Sequence, residues 1–91
     1  MENEVIAKCV LMSPNGDTIK QRIYKTNAKD LNNALSKVLS FLQQWGRVFE
    51  FANKFQKTSL NVVNWNYLVL RTEKGKYIFK CVTPINEILK G

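Results

Sequence analysis

Any catalysis by this chain would fall to seven carboxylates, two thiols, three tyrosines and the amines, because the sequence contains no histidine. General acid–base work by such groups needs an Asp, Glu, Lys, Tyr or Cys positioned against the reacting proton. Asp17 is accounted for by a turn and Asp30 by a helix start, while Glu2 and Glu4 lie in a terminus expected to fray. Glu73 falls in a second turn. Glu50 alone sits in the middle of an expected strand, with no second carboxylate near it in sequence. No Gly-rich phosphate loop, nucleophile elbow or metal-ligand spacing occurs. A zinc site would need four ligands, and the two cysteines Cys9 and Cys81 cannot supply them. Both thiols sit in strand-like apolar stretches and are expected to be buried and free; pairing would require the first and last strands to be neighbours. The chemistry points to a protein that binds and does not catalyse, with no cofactor and no metal.

What it binds is suggested by charge. Fourteen basic residues stand against seven acidic ones, a net charge of +7, which favours anionic partners. Lys20, Arg22, Lys25 and Lys29 form the longest basic run without an acid. Lys20, Arg22 and Lys25, together with Lys8, Tyr24, Arg71 and Lys80, make a candidate surface for nucleic acid, with cations for phosphates. Trp65 and Tyr67 would add π-faces for bases if they share that surface. The chain has no RNP-type aromatic segment, no GxxG of the KH type and no zinc knuckle. An acidic protein surface is the alternative partner, bound by a small adapter or inhibitor such as a virus or mobile element could encode.

The elements that must position these residues start with a helix. From Leu31 to Trp45 the apolar residues Leu31, Ala34, Leu35, Val38, Leu39, Phe41, Leu42 and Trp45 fall in one arc of roughly 160°. Asn27 is the expected N-cap, Asp30 favours the first turn, and Gly46 fits a left-handed stop after Trp45. The spacing predicts a helix over about 28–45. Before it, Val5–Met12 and Thr18–Lys25 flank the turn sequence Ser13-Pro14-Asn15-Gly16-Asp17. A three-residue loop, Pro14-Asn15-Gly16, would pair Ser13 with Asp17 and Leu11 with Ile19. The face opposite the core then carries Lys8, Lys20, Arg22 and Tyr24. A two-residue Asn-Gly turn would instead set Leu11 against Lys20 and Cys9 against Arg22.

After the helix, Phe49, Phe51 and Phe55 alternate with Glu50 and Lys54 and predict a strand at about 47–52. Leu60–Thr72 and Lys76–Thr83 form a second hairpin about Glu73-Lys74-Gly75. A three-residue loop groups Trp65, Tyr67 and Val69 with the core; a two-residue turn groups Leu68 and Leu70 there and turns Trp65, Tyr67 and Arg71 outward. Turn chemistry favours the former. Thr83-Pro84 opens a short last helix. The chain is expected to form one domain over 1–91, of the α+β class. Its order is ββα-βββ-α, with a mostly antiparallel sheet of about five strands and the long helix on one face. A second face showing Ile6, Val10, Met12, Leu68, Leu70, Ile78 and Val82 would be too apolar to stay wet, so a homodimer through that face is expected. No run approaches the roughly 18 apolar residues of a membrane span. The acidic first residues do not suit a signal peptide, and an intracellular protein is expected.

Overall fold

The computed structural model describes residues 2–90. Two strands, β1 (Asn3–Met12) and β2 (Thr18–Ala28), precede a single long helix, α1 (Leu31–Asn53). Three strands follow: β3 (Thr58–Asn64), β4 (Tyr67–Thr72) and β5 (Gly75–Cys81). A 3-10 turn at Ile85–Glu87 leads to a short β6 (Leu89–Lys90). All pairings are antiparallel, and the sheet order is β2-β1-β5-β4-β3, with β6 also on β1. The fold is α+β and its order is the expected one, with a sixth short strand added. The expected C-terminal helix is only the 3-10 turn, because Leu89 and Lys90 return to pair with Val5 and Glu4.

The two ends of the chain meet in the middle of the sheet. β1 pairs with β5 through Cys9–Met12, and beyond β5 the chain stays beside β1. Val82 N–H donates to the Lys8 carbonyl at 2.8 Å, Lys8 N–H to Thr83 Oγ1 at 2.8 Å, and Ile6 N–H to the Ile88 carbonyl at 3.2 Å. The open edges are therefore β2 and β3, and α1 joins them across one face.

Helix α1 starts three residues later and ends eight residues later than the sequence pattern suggests. The N-cap is Asp30, whose carboxylate accepts the Asn33 N–H at 2.8 Å while Asn33 Oδ1 accepts the Lys29 N–H at 3.2 Å. This reciprocal arrangement satisfies two otherwise orphaned donors. Asn27 belongs to β2, paired with Glu4. At the far end Gly46 is an interior helical residue, and Lys54 takes the left-handed cap conformation at φ 51°. The predicted strand at 47–52 is helix: Val38, Leu42, Trp45 and Phe49 continue one stripe at i, i+4, i+7 and i+11. Phe49 packs edge-on to Phe79 with ring centres 5.7 Å apart, whereas Phe51 is 85% exposed. A strand would have put both rings on one side; the helix separates them.

The core lies between α1 and the sheet. Val5, Ala7, Cys9 and Leu11 of β1, Leu68 and Leu70 of β4, and Phe79 and Cys81 of β5 meet Ala34, Val38, Leu42 and Trp45 of the helix. Leu60–Thr72 is two strands, because Trp65 and Asn66 form a turn. Between β4 and β5 the pairing of Thr72 with Gly75 leaves a two-residue loop, Glu73-Lys74. Leu68 stands opposite Phe79 and Leu70 opposite Tyr77, so the core takes Leu68 and Leu70, and the three-residue register is not adopted. Gly75 at φ 116° supplies the backbone conformation this tighter turn requires.

Candidate nucleic-acid interface

The first hairpin decides where the basic residues go. Its loop is the expected one: Ser13 N–H donates to the Asp17 carbonyl at 2.8 Å, Gly16 N–H to the Ser13 carbonyl at 2.9 Å, and Gly16 has φ 92°. Met12 pairs with Thr18 as this loop demands. The register then slips, and Leu11 pairs with Lys20, Cys9 with Arg22 and Ala7 with Tyr24. Ile19 is the extra residue of a β-bulge, which turns every later side chain of β2 to the other face.

The expected single surface is therefore divided. Lys20, Arg22 and Tyr24 share the helix side of the sheet with Cys9 and Ala7. Tyr24 stacks on Phe41 of α1 with centroids 4.6 Å apart, and the Arg22 guanidinium lies 5.4 Å from the Trp45 ring centre. Lys8, Lys25, Arg71 and Lys80 lie on the outer face, away from α1. Lys76 joins them, paired with Arg71. It lies on the same face and is missed by the sequence argument, although either turn register sets it on the side of Lys80.

Cross-strand rows give this outer face its geometry. One row runs Gln21, Val10, Lys80, Tyr67, and the next runs Thr18, Met12, Ile78, Val69. Ile23, Lys8 and Val82 make a third, joined by the Val82-to-Lys8 hydrogen bond. Strands about 4.8 Å apart put Lys25 on β2 and Arg71 on β4 roughly 14 Å apart in the hydrogen-bonding direction. Among the described residues the carboxylate on this face is Glu4, at its end opposite Lys90. The valines of this face are nearly covered: Val10 and Val69 are each 8% exposed. Leu68 and Leu70, expected here in one register, are in the core.

Aromatic stacking surfaces are scarce. Tyr67 is the one aromatic strand residue on the outer face among the described residues, and it is half-buried. Trp65 sits in the turn and packs against the core. The face offers cations for phosphates and little for bases.

The carboxylates elsewhere are held by local partners. Glu50, on α1, accepts from Arg47 at 3.0 Å and from the Thr58 hydroxyl, and the Thr58 bond foremost lowers its pKa. Glu73 accepts the Gln56 and Lys57 N–H groups at 2.9 and 3.3 Å, which tie the chain entering β3 to the β4–β5 turn. Its pKa is likewise lowered, first by the Gln56 N–H. Cys9 pairs directly with Cys81, and both are buried free thiols. Their hydrogen bond, then burial, pushes the Cys9 thiol up. No group of three His, Cys, Asp or Glu side chains among the described residues could hold a metal ion, and no described helix is long and apolar enough to cross a membrane. Comparison with protein families, with curated proteins and with solved structures finds no match.

Proposed function

We propose that this protein binds nucleic acid without strong sequence preference, gripping the phosphate backbone with the outer face of its sheet. The observation that carries the reading is the sharing of one face by Lys8, Lys25, Arg71, Lys76 and Lys80, within a chain of net charge +7. Such cations release counterions from a polyanion, a sequence-independent source of affinity. Tyr67 alone offers a π-face there, so base stacking is a minor contributor.

The test is fluorescence anisotropy with labelled single- and double-stranded oligonucleotides at two ionic strengths. Five phosphate contacts on a single strand imply a log–log salt slope of about −3 to −4. Lys8→Glu with Lys80→Glu should abolish binding, whereas Lys20→Glu, on the other side of the sheet, should change it little. Absence of binding at about 50 mM salt, where such contacts are strong, sinks the reading.

A second reading, a protein-docking module, rests on the apolar row Met12, Ile78 and Val69. A second copy is the simplest cover for it. That dimer would bring Lys8, Lys80 and Arg71 against like charges, so the nucleic-acid reading is favoured. Sedimentation equilibrium separates the two: a dimer dispersed by Ile78→Glu would favour docking.

A further inference from the structure

A different surface, on the helix side of the sheet, is also open. β2 is an edge strand of 11 residues, paired with β1 alone. Past the Ile19 bulge, from Lys20 to Ala28, its pairing is regular. An edge of this length presents a row of unpaired N–H and C=O groups, a template for another strand. Beside it, between β2 and the second half of α1, runs a groove of about 370 Å³ whose apolar wall includes Leu11, Ile19, Trp45, Val48 and Phe49. Ile19 and Val48 are 50% and 59% exposed. A second hollow of about 230 Å³ shares Arg22, Trp45 and Val48 with it and extends it along α1 to Gln44 and Phe41. Lys20 and Arg22 line the groove on the strand side, and Arg22 lies over the Trp45 ring.

We propose that this edge and groove bind an extended acidic peptide segment of another protein, whose groove-facing residues, every second one, include both apolar and acidic side chains. The peptide adds to β2 as a further strand. Its groove-side residues, every second one along the strand, set apolar side chains over Trp45 and Val48 and carboxylates against Lys20 and Arg22. Charge selects this occupant. From Thr18 to Lys29 the chain has Lys20, Arg22, Lys25 and Lys29 and no carboxylate, and neither hollow is lined by one. A second copy is disfavoured by the same charges, since β2 against β2 sets cation opposite cation. A nucleic acid could meet the cations but has no use for the open ladder or the apolar wall. The site is independent of the outer face, because the bulge at Ile19 turned Lys20 and Arg22 away from it.

The experiment is selection of displayed random decapeptides on the whole protein, followed by titration of the synthetic peptides selected. The Trp65→Phe variant lets Trp45 fluorescence report binding. Selected peptides should carry both apolar and Asp or Glu residues at positions two apart, on one face of the strand. They should lose about tenfold or more in affinity with Arg22→Glu, with Val48→Asp, and when alternate peptide nitrogens are methylated to block the ladder. Amide shifts should concentrate on β2 and not on Lys8 or Lys80. The proposal is overturned if no acidic peptide is enriched over the Arg22→Glu protein. It is equally overturned if methylation leaves affinity unchanged, or if an oligonucleotide alone protects the β2 amides.

Discussion

Leu60, on the edge strand β3, packs its side chain against Gly46 in the middle of α1. A Cβ placed on Gly46 would lie 3.2 Å from Leu60 Cδ1 and 3.4 Å from Cδ2. The glycine therefore lets strand and helix approach closely, and does not end the helix. Alanine at this position gains about 1 kcal/mol of helix propensity. Leu60 is only half-buried and can yield the few tenths of an ångström required. Gly46→Ala should thus raise stability by up to about 1 kcal/mol, while Gly46→Leu, which displaces Leu60, should lower it by about 1–3 kcal/mol. Urea denaturation of the two variants checks both signs.

Gly75 bears on the other two hairpins in the same way. At φ 116° it holds a conformation that side chains disfavour, and an added Cβ would lie 2.8 Å from Pro14 Cβ. The β4–β5 turn and the β1–β2 loop thus touch. Gly16 has a comparable φ of 92° but open space around it. Gly16→Ala should cost about 1 kcal/mol, the strain of the left-handed backbone alone. Gly75→Ala should cost more by the loop–loop clash, for a total of about 2–3 kcal/mol. Equal losses in thermal denaturation would show that the two loops part without penalty.

These glycines also explain how far the sequence could be read. The apolar arc ending at Trp45 identifies the helix, and the alternation in β1 places Val5, Ala7, Cys9 and Leu11 in the core and Lys8 outside. Gly46 looks like a stop because nothing local distinguishes a helix end from a close crossing by Leu60. Phe49 and Phe51 mimic a strand because two residues of a helix can match a two-residue period. In the first hairpin the loop residues fix the turn, but the bulge at Ile19 is a tertiary adjustment, and it moves Lys20, Arg22 and Tyr24 to the helix side. In the second hairpin, the observed pairing sets Leu68 opposite Phe79 in the core against the turn preference, and still leaves Trp65 packed on the core and Val69 nearly covered. The outer cations Lys8 and Lys80 were legible from alternation; Arg71 was placed outside only by the two-residue turn that turn chemistry disfavours, and the separation of all three from Arg22 was not legible.

The thiols of Cys9 and Cys81 should be inert in the folded protein. They face each other across β1 and β5 and are 0% and 2% exposed; their shared hydrogen bond raises the Cys9 pKa and lowers that of Cys81, so burial, and not protonation, is what withholds Cys81. Reaction with an aromatic disulfide reagent requires thiolate and access. It should therefore proceed at the rate of opening of the central strands, which tracks global unfolding. Adding denaturant to the transition midpoint should accelerate it steeply, and two thiols should then be counted. Rapid reaction of either thiol in buffer would mean that β1 and β5 separate locally.

Acid should loosen the start of β3 through two carboxylates. Glu50 and Glu73 both titrate below the ordinary value of 4.5 in the folded chain, through the Thr58 hydroxyl and the Gln56 N–H respectively. As pH falls through 4.5 the unfolded chain takes up protons first, so their stabilisation is present above that value. It is lost as pH falls through the lower folded values, because stability rises with pH wherever the unfolded state binds more protons. Both groups are solvent-accessible, so the effect is modest and screened by salt. Glu50→Gln and Glu73→Gln should each flatten the stability profile below pH 4.5 and leave its shape at neutral pH unchanged. In the Glu73 variant, faster amide exchange at Gln56 and Lys57 should accompany the loss, since those N–H groups bond its carboxylate. A Glu73→Gln protein with the parent acid profile would show that its two backbone bonds do not hold the approach to β3 in solution.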